Sequence, residues 1–111
     1  METKMKEKIR IIADYYMHKY GIGHQLVKAM EEFGELIQAV AKYHHAYVYG
    51  DANEKAAVMP MLREEIADVL CMIEQIRYFS DCSDEQIEKE CQKKIERQLK
   101  RIGGWDEKNM S

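Results

Sequence analysis

The stretch that decides the fold of this chain is residues 25–43, which read QLVKAMEEFGELIQAVAKY. Its apolar residues recur at intervals of three and four, the spacing that places side chains on one face of an α-helix. These residues are Leu26, Met30, Phe33, Ile37 and Val40. The stretch contains no proline, so it predicts a long amphipathic helix that we extend over residues 24–48.

Two further helices are predicted on either side of this one. The first covers residues 3–20 and ends at Gly21, since glycine is the usual residue just past a helix end. The third is clear over residues 60–79, with Pro60 in its first turn. Its start is left open, because helical structure can begin as early as Asn53.

A fourth helix is predicted from its capping residues. Ser83 is a good N-cap, and Gln86 three residues later completes a capping box. The helix is expected to run to Ile102, where two glycines follow, and to leave a loose tail over residues 103–111.

No segment alternates apolar and polar residues as a half-buried strand does. We therefore predict an all-α fold, a four-helix bundle-like single domain over residues 1–111. A chain this short buries a modest core, so a homodimer or homotetramer is expected.

Composition narrows the possible function classes. Hydrophobic residues make up 46% and charged residues 33% of the chain, as in folded globular domains. No apolar run approaches the roughly 20 residues needed to span a bilayer, and the first residues are too polar for a signal peptide. A net charge of −3 does not favour nucleic-acid binding. The three cysteines are odd in number and include no C-x-x-C pair, so a disulfide framework is not expected. We expect a cytoplasmic protein without membrane or nucleic-acid partners.

Acidic residues form two clusters on the second and third predicted helices. They are Glu31, Glu32, Glu35, Glu65 and Asp68. Side chains three and four residues apart face each other on a helix, and ordinary surface acids commonly have a basic partner there. Lys28 can reach the first two acids, whereas the last three have no basic residue at these spacings. The pattern therefore argues against a simple solvated face.

The third helix also places its acids beside apolar residues. We expect one apolar stripe facing the bundle, formed by Leu62, Ile66, Val69, Ile73 and Ile76. Glu65 lies at the edge of that stripe, so the acids should point towards the neighbouring helix. Two like charges about 4 Å apart repel by roughly 4 kcal/mol at an effective dielectric of 20, so protons or a cation must compensate. Carboxylate ligands suit Mg²⁺ or Mn²⁺.

These motifs resemble the all-α nucleoside triphosphate pyrophosphohydrolases of the MazG-like superfamily. The pattern E-E-x-x-E is followed 30 residues after Glu35 by E-x-x-D, and both surrounding helices are similar to the family's. The basic segment KKIERQLKRI at residues 93–102 is similar to the fourth helix of small MazG-like proteins. The resemblance covers about residues 20–102.

The resemblance implies specific roles. Metal ligands would be Glu32, Glu35, Glu65 and Asp68, with Glu31 as a nearby catalytic residue that helps to position water or metal. The triphosphate would be bound by Lys94, Arg97 and Arg101. The implied reaction is Mg²⁺-dependent cleavage between the α- and β-phosphates, giving a nucleoside or deoxynucleoside monophosphate and pyrophosphate.

Two other functions are alternatives to a pyrophosphohydrolase. One is a non-catalytic helical interaction module, which would be expected to lose one of the four ligands. The other is a di-metal carboxylate protein, which is disfavoured because the acidic motifs lack the E-x-x-H pattern of that class.

Overall fold

A computed structural model describes residues 1–110, and their architecture is all-α. Four helices occur in chain order: α1 (Thr3–Tyr20), α2 (Ile22–Tyr49), α3 (Ala52–Ser80) and α4 (Asp84–Arg101). A short 3₁₀ turn, Glu107–Asn109, follows within the segment expected to be a loose tail. No strand occurs among the described residues, so the predicted fold class is confirmed.

The helix ends follow the expected capping chemistry, with one difference. Gly21 adopts φ = 90°, in the left-handed region, and its N–H donates to the Met17 carbonyl at 2.9 Å. α3 begins well before Pro60 because the Asp51 side chain accepts a hydrogen bond from the Glu54 N–H at 2.9 Å and stabilises an earlier start. The sequence left this start open, and the structure places it at Ala52.

The chain divides into two compact units, Met1–Ser80 and the residues from Asp81 onward. In the first unit α1, α2 and α3 pack against one another. In the second, the predicted capping box starts α4: Gln86 N–H donates to Ser83 Oγ at 3.1 Å, and Ser83 N–H donates to Gln86 Oε1 at 2.9 Å.

The core of the first unit is built mainly from small residues. Its buried apolar side chains are Ile9, Ala13, Ala29, Ala39, Ala46, Val69 and Met72. The prediction that the apolar stripes face the core is wrong for several residues. Ile37 is 70% exposed, and Ile66 and Ile73 are also exposed. Periodicity identifies an apolar face of a helix but does not show whether another helix covers it. Where α2 and α3 approach closely, the buried positions are occupied by alanines and polar residues rather than by the large apolar side chains.

None of the helices among the described residues is both long enough and apolar enough to cross a membrane.

Candidate metal centre

The site lies along the seam where α2 and α3 run side by side in opposite directions. The two-residue link Gly50–Asp51 turns the chain back. Gln25 on α2 donates its amide to Gln75 Oε1 on α3 at 3.0 Å, and both residues are buried. Because Glu32 and Asp68 lie two helical turns from these glutamines, the same register brings the acidic motifs together.

Four carboxylates converge on this seam. One oxygen from each of Glu32, Glu35, Glu65 and Asp68 lies within 4.8 Å of the others. Glu32 is buried, Glu65 and Asp68 are half-buried, and Glu35 is exposed. The structure therefore brings together the four acids for which the resemblance implies metal binding, two from each helix.

Two carboxylate oxygens in this cluster lack hydrogen-bond partners. They are Oε2 of Glu32 and Oε2 of Glu65, and both atoms are buried. A buried charged oxygen without a donor costs considerable free energy, so such atoms are rare in folded proteins. A proton or a cation would supply the missing contact, which makes the seam a candidate ion-binding site.

Burial and mutual repulsion perturb the titration of the acids on α3. Burial raises the pKa of Glu65 above its usual 4.5, and the negative charges of Glu35, Asp68 and Glu32 raise it further. Burial likewise raises the pKa of Asp68 above 3.8, with added contributions from the charge of Glu32 and a hydrogen bond to it. Compensating charge at this seam is therefore incomplete.

Lys28 supplies partial compensation from the exposed side. Its Nζ lies 3.1 Å from Glu32 Oε1 and 4.0 Å from Glu31 Oε2. Glu31 is exposed and does not belong to the group of four converging carboxylates. The other acids of the cluster form no ion pair among the described residues: Glu35, Glu65 and Asp68. The absence of basic residues three or four positions away predicted this.

The predicted phosphate-binding residues lie on the other compact unit. Lys94, Arg97 and Arg101 are all exposed on α4. Successive members lie three and four residues apart, so they share one face of that helix.

Sequence reasoning missed a buried polar layer beside the acids. Glu74 on α3 is 3% exposed and accepts from Arg10 Nε of α1 at 3.0 Å. Gln25 and Gln75 form the amide pair described above. The sequence spacing could have revealed this pair, because Gln25 is seven residues from Glu32 and Gln75 is seven residues from Asp68. That spacing places each glutamine on the same helix face as the acid.

The donor set fits a hard divalent cation. All four side chains offer carboxylate oxygens, which Mg²⁺ and Mn²⁺ prefer. Such a site could bind a divalent ion and, through it, an anionic substrate.

The chain matches no model of a known protein family, no curated protein and no solved structure. The MazG-like resemblance thus rests on the residues of this chain alone and stays a prediction.

Proposed function

We propose that this protein is an Mg²⁺-dependent nucleoside triphosphate pyrophosphohydrolase. The observation that carries the proposal is the convergence of four carboxylates from α2 and α3, with two buried oxygens that lack partners. Glu32 supports the proposal further, since it is only 8% exposed and is therefore not an ordinary surface acid. The resemblance of the two acidic motifs supplies the reaction class.

In this proposal Glu32, Glu35, Glu65 and Asp68 hold the ion. When bound, Mg²⁺ would neutralise phosphate oxygens and lower the pKa of a water molecule near them. Glu31 lies beside the cluster with an exposed carboxylate, suited to orient or deprotonate that water. Lys94, Arg97 and Arg101 would stabilise charge on the pyrophosphate leaving group.

The products are a nucleoside or deoxynucleoside monophosphate and pyrophosphate. The working form is a homodimer or homotetramer, supported by the large apolar residues exposed on α2 and α3. The interaction module stays the alternative. A di-metal redox role has no support in the donor set, which contains no histidine.

The test is product release from a panel of ribo- and deoxyribonucleoside triphosphates with Mg²⁺. We expect pyrophosphate and a monophosphate. Glu35→Gln or Asp68→Asn should reduce turnover by more than about a hundredfold. Substituting a residue that only positions a metal ligand typically reduces activity by about tenfold to a hundredfold, so a larger loss indicates a ligand. Circular dichroism should show unchanged helicity.

Glu88→Gln on α4 is the matched control, because Glu88 is an exposed glutamate on the opposite side of α4 from Lys94, Arg97 and Arg101. It should retain full activity. Orthophosphate with a nucleoside diphosphate would contradict the proposed bond cleavage. Absence of hydrolysis across the panel would favour the interaction module.

A further inference from the structure

Lys28 occupies a distinctive position at the acidic cluster. It lies on α2 one turn before Glu32, and its side chain is 51% exposed while that of Glu32 is 11% exposed. The ion pair therefore joins a half-exposed ammonium group to a nearly buried carboxylate.

The ion pair uses only one side of the Glu32 carboxylate. Lys28 Nζ contacts Oε1 at 3.1 Å, whereas Oε2 is buried and has no partner. Lys28 thus offsets part of the negative charge without filling the space among the four acids. A divalent ion in that space would meet the positive charge of Lys28 across one carboxylate, and the two cations would repel.

We infer that Lys28 is the resident counter-cation of the metal-free site, and that metal binding releases it to contact a phosphate oxygen of the substrate. The inference rests on the proposed function and adds a substrate-binding residue to it. Release is inexpensive, because a half-exposed lysine on a flexible stem regains hydration and rotamer freedom when it leaves.

The second half of the inference follows from location. In the unit Met1–Ser80, Lys28 is the basic residue that forms ion pairs with the acidic motif. A metal-bound polyphosphate would bring anionic oxygens to the same place. An ammonium group binds phosphate oxygens as a compact point charge.

The test measures two ligands whose affinities should change in opposite directions. Wild type, Lys28→Met and Lys28→Arg are titrated by calorimetry with MgCl₂ alone, and then with inorganic triphosphate at saturating Mg²⁺. Lys42→Met is the control, since Lys42 is an exposed lysine further along α2. We expect Lys28→Met to bind Mg²⁺ up to about fivefold more tightly, the range of an exposed ion pair.

The same variant should bind inorganic triphosphate at least about tenfold more weakly, as expected for a lost charged hydrogen bond. Lys28→Arg should resemble wild type in both titrations. Damage to the fold would weaken both ligands together, so opposite changes separate this inference from a structural effect.

Three results would overturn the inference. Equal affinities in wild type and Lys28→Met would show that Lys28 has no part at the site, while the metal centre itself stands. Weaker Mg²⁺ binding in Lys28→Met would mean that Lys28 positions Glu32 instead. Absence of Mg²⁺ binding in every variant would reject the metal centre and this inference together.

Discussion

At the scale of single residues, the cluster is defined by charges that the fold does not neutralise. Glu65 has a buried oxygen without a partner, and its pKa is raised by burial and by Glu35, Asp68 and Glu32. Asp68 is shifted in the same direction. A protonated or metal-bound cluster is therefore more compatible with the folded chain than a fully ionised one.

This has a consequence for stability in metal-free buffer. Because the folded-state pKa values of Glu65 and Asp68 are raised above 4.5 and 3.8, the folded chain binds protons more tightly than the unfolded chain between the ordinary and raised values. The unfolding free energy should therefore rise as the pH falls through that interval. We expect the melting temperature in EDTA to increase from neutral pH down towards 4.5.

Glu65→Gln should remove most of this increase, whereas Glu88→Gln, at an exposed position on α4, should retain it. Saturating Mg²⁺ should reverse the trend, because metal ligands must be deprotonated. Thermal melts at several pH values check these expectations. A melting temperature that falls steadily from neutral pH in EDTA would contradict them.

At the scale of the element, α2 has two distinct faces. Its buried face carries Gln25, Ala29, Glu32, Ala39 and Ala46. Its apolar stripe is exposed instead, at Leu26, Met30, Ile37, Val40 and Val48. At 100° per residue the two faces lie about a third of a turn apart. Exposed apolar stripes of this kind mark interaction sites, and a second copy of the chain is the partner we expect.

Ile37→Lys should dissociate the oligomer, since it places a charge in the middle of that stripe. The change should alter folding stability by no more than about 0.5 kcal/mol, because Ile37 is 70% exposed within one chain. Gln38→Lys introduces the same charge at the next position, which is also exposed, and should leave the oligomer intact. Light scattering at micromolar concentration distinguishes them; a monomeric wild type would reject the association.

At the scale of the whole molecule, the candidate metal ligands and the predicted phosphate-binding residues belong to different compact units. The carboxylate cluster belongs to Met1–Ser80, and the basic face of α4 belongs to the second unit. The proposed function assigns phosphate binding to the basic face of α4, and substitutions on that face test this part of the proposal.

Lys94→Ala and Arg97→Ala should each lower kcat/KM by roughly tenfold to a hundredfold, chiefly through KM, as expected for lost hydrogen bonds to a charged group. Lys89→Ala, also on α4 but off that face, should change neither constant. Steady-state kinetics with the preferred triphosphate measures both. Equal, negligible effects of all three substitutions would show that α4 does not bind substrate.

Local features of this protein were determined by its sequence alone. The bounds of α1, the Ser83–Gln86 capping box and the all-α class depend on contacts between neighbours in the chain, which spacing predicts. The two acidic motifs were also recognisable, because Glu35, Glu65 and Asp68 lack basic neighbours.

Tertiary structure alone decided which faces are covered. It exposed Ile37, buried the Gln25–Gln75 pair, and aligned Glu32 with Asp68 across the seam. Periodicity specifies a helix face, but its burial depends on how closely two helices approach and in which register. Those quantities are set by packing between residues distant in the sequence, here alanines and an amide pair, so only the folded chain reveals them.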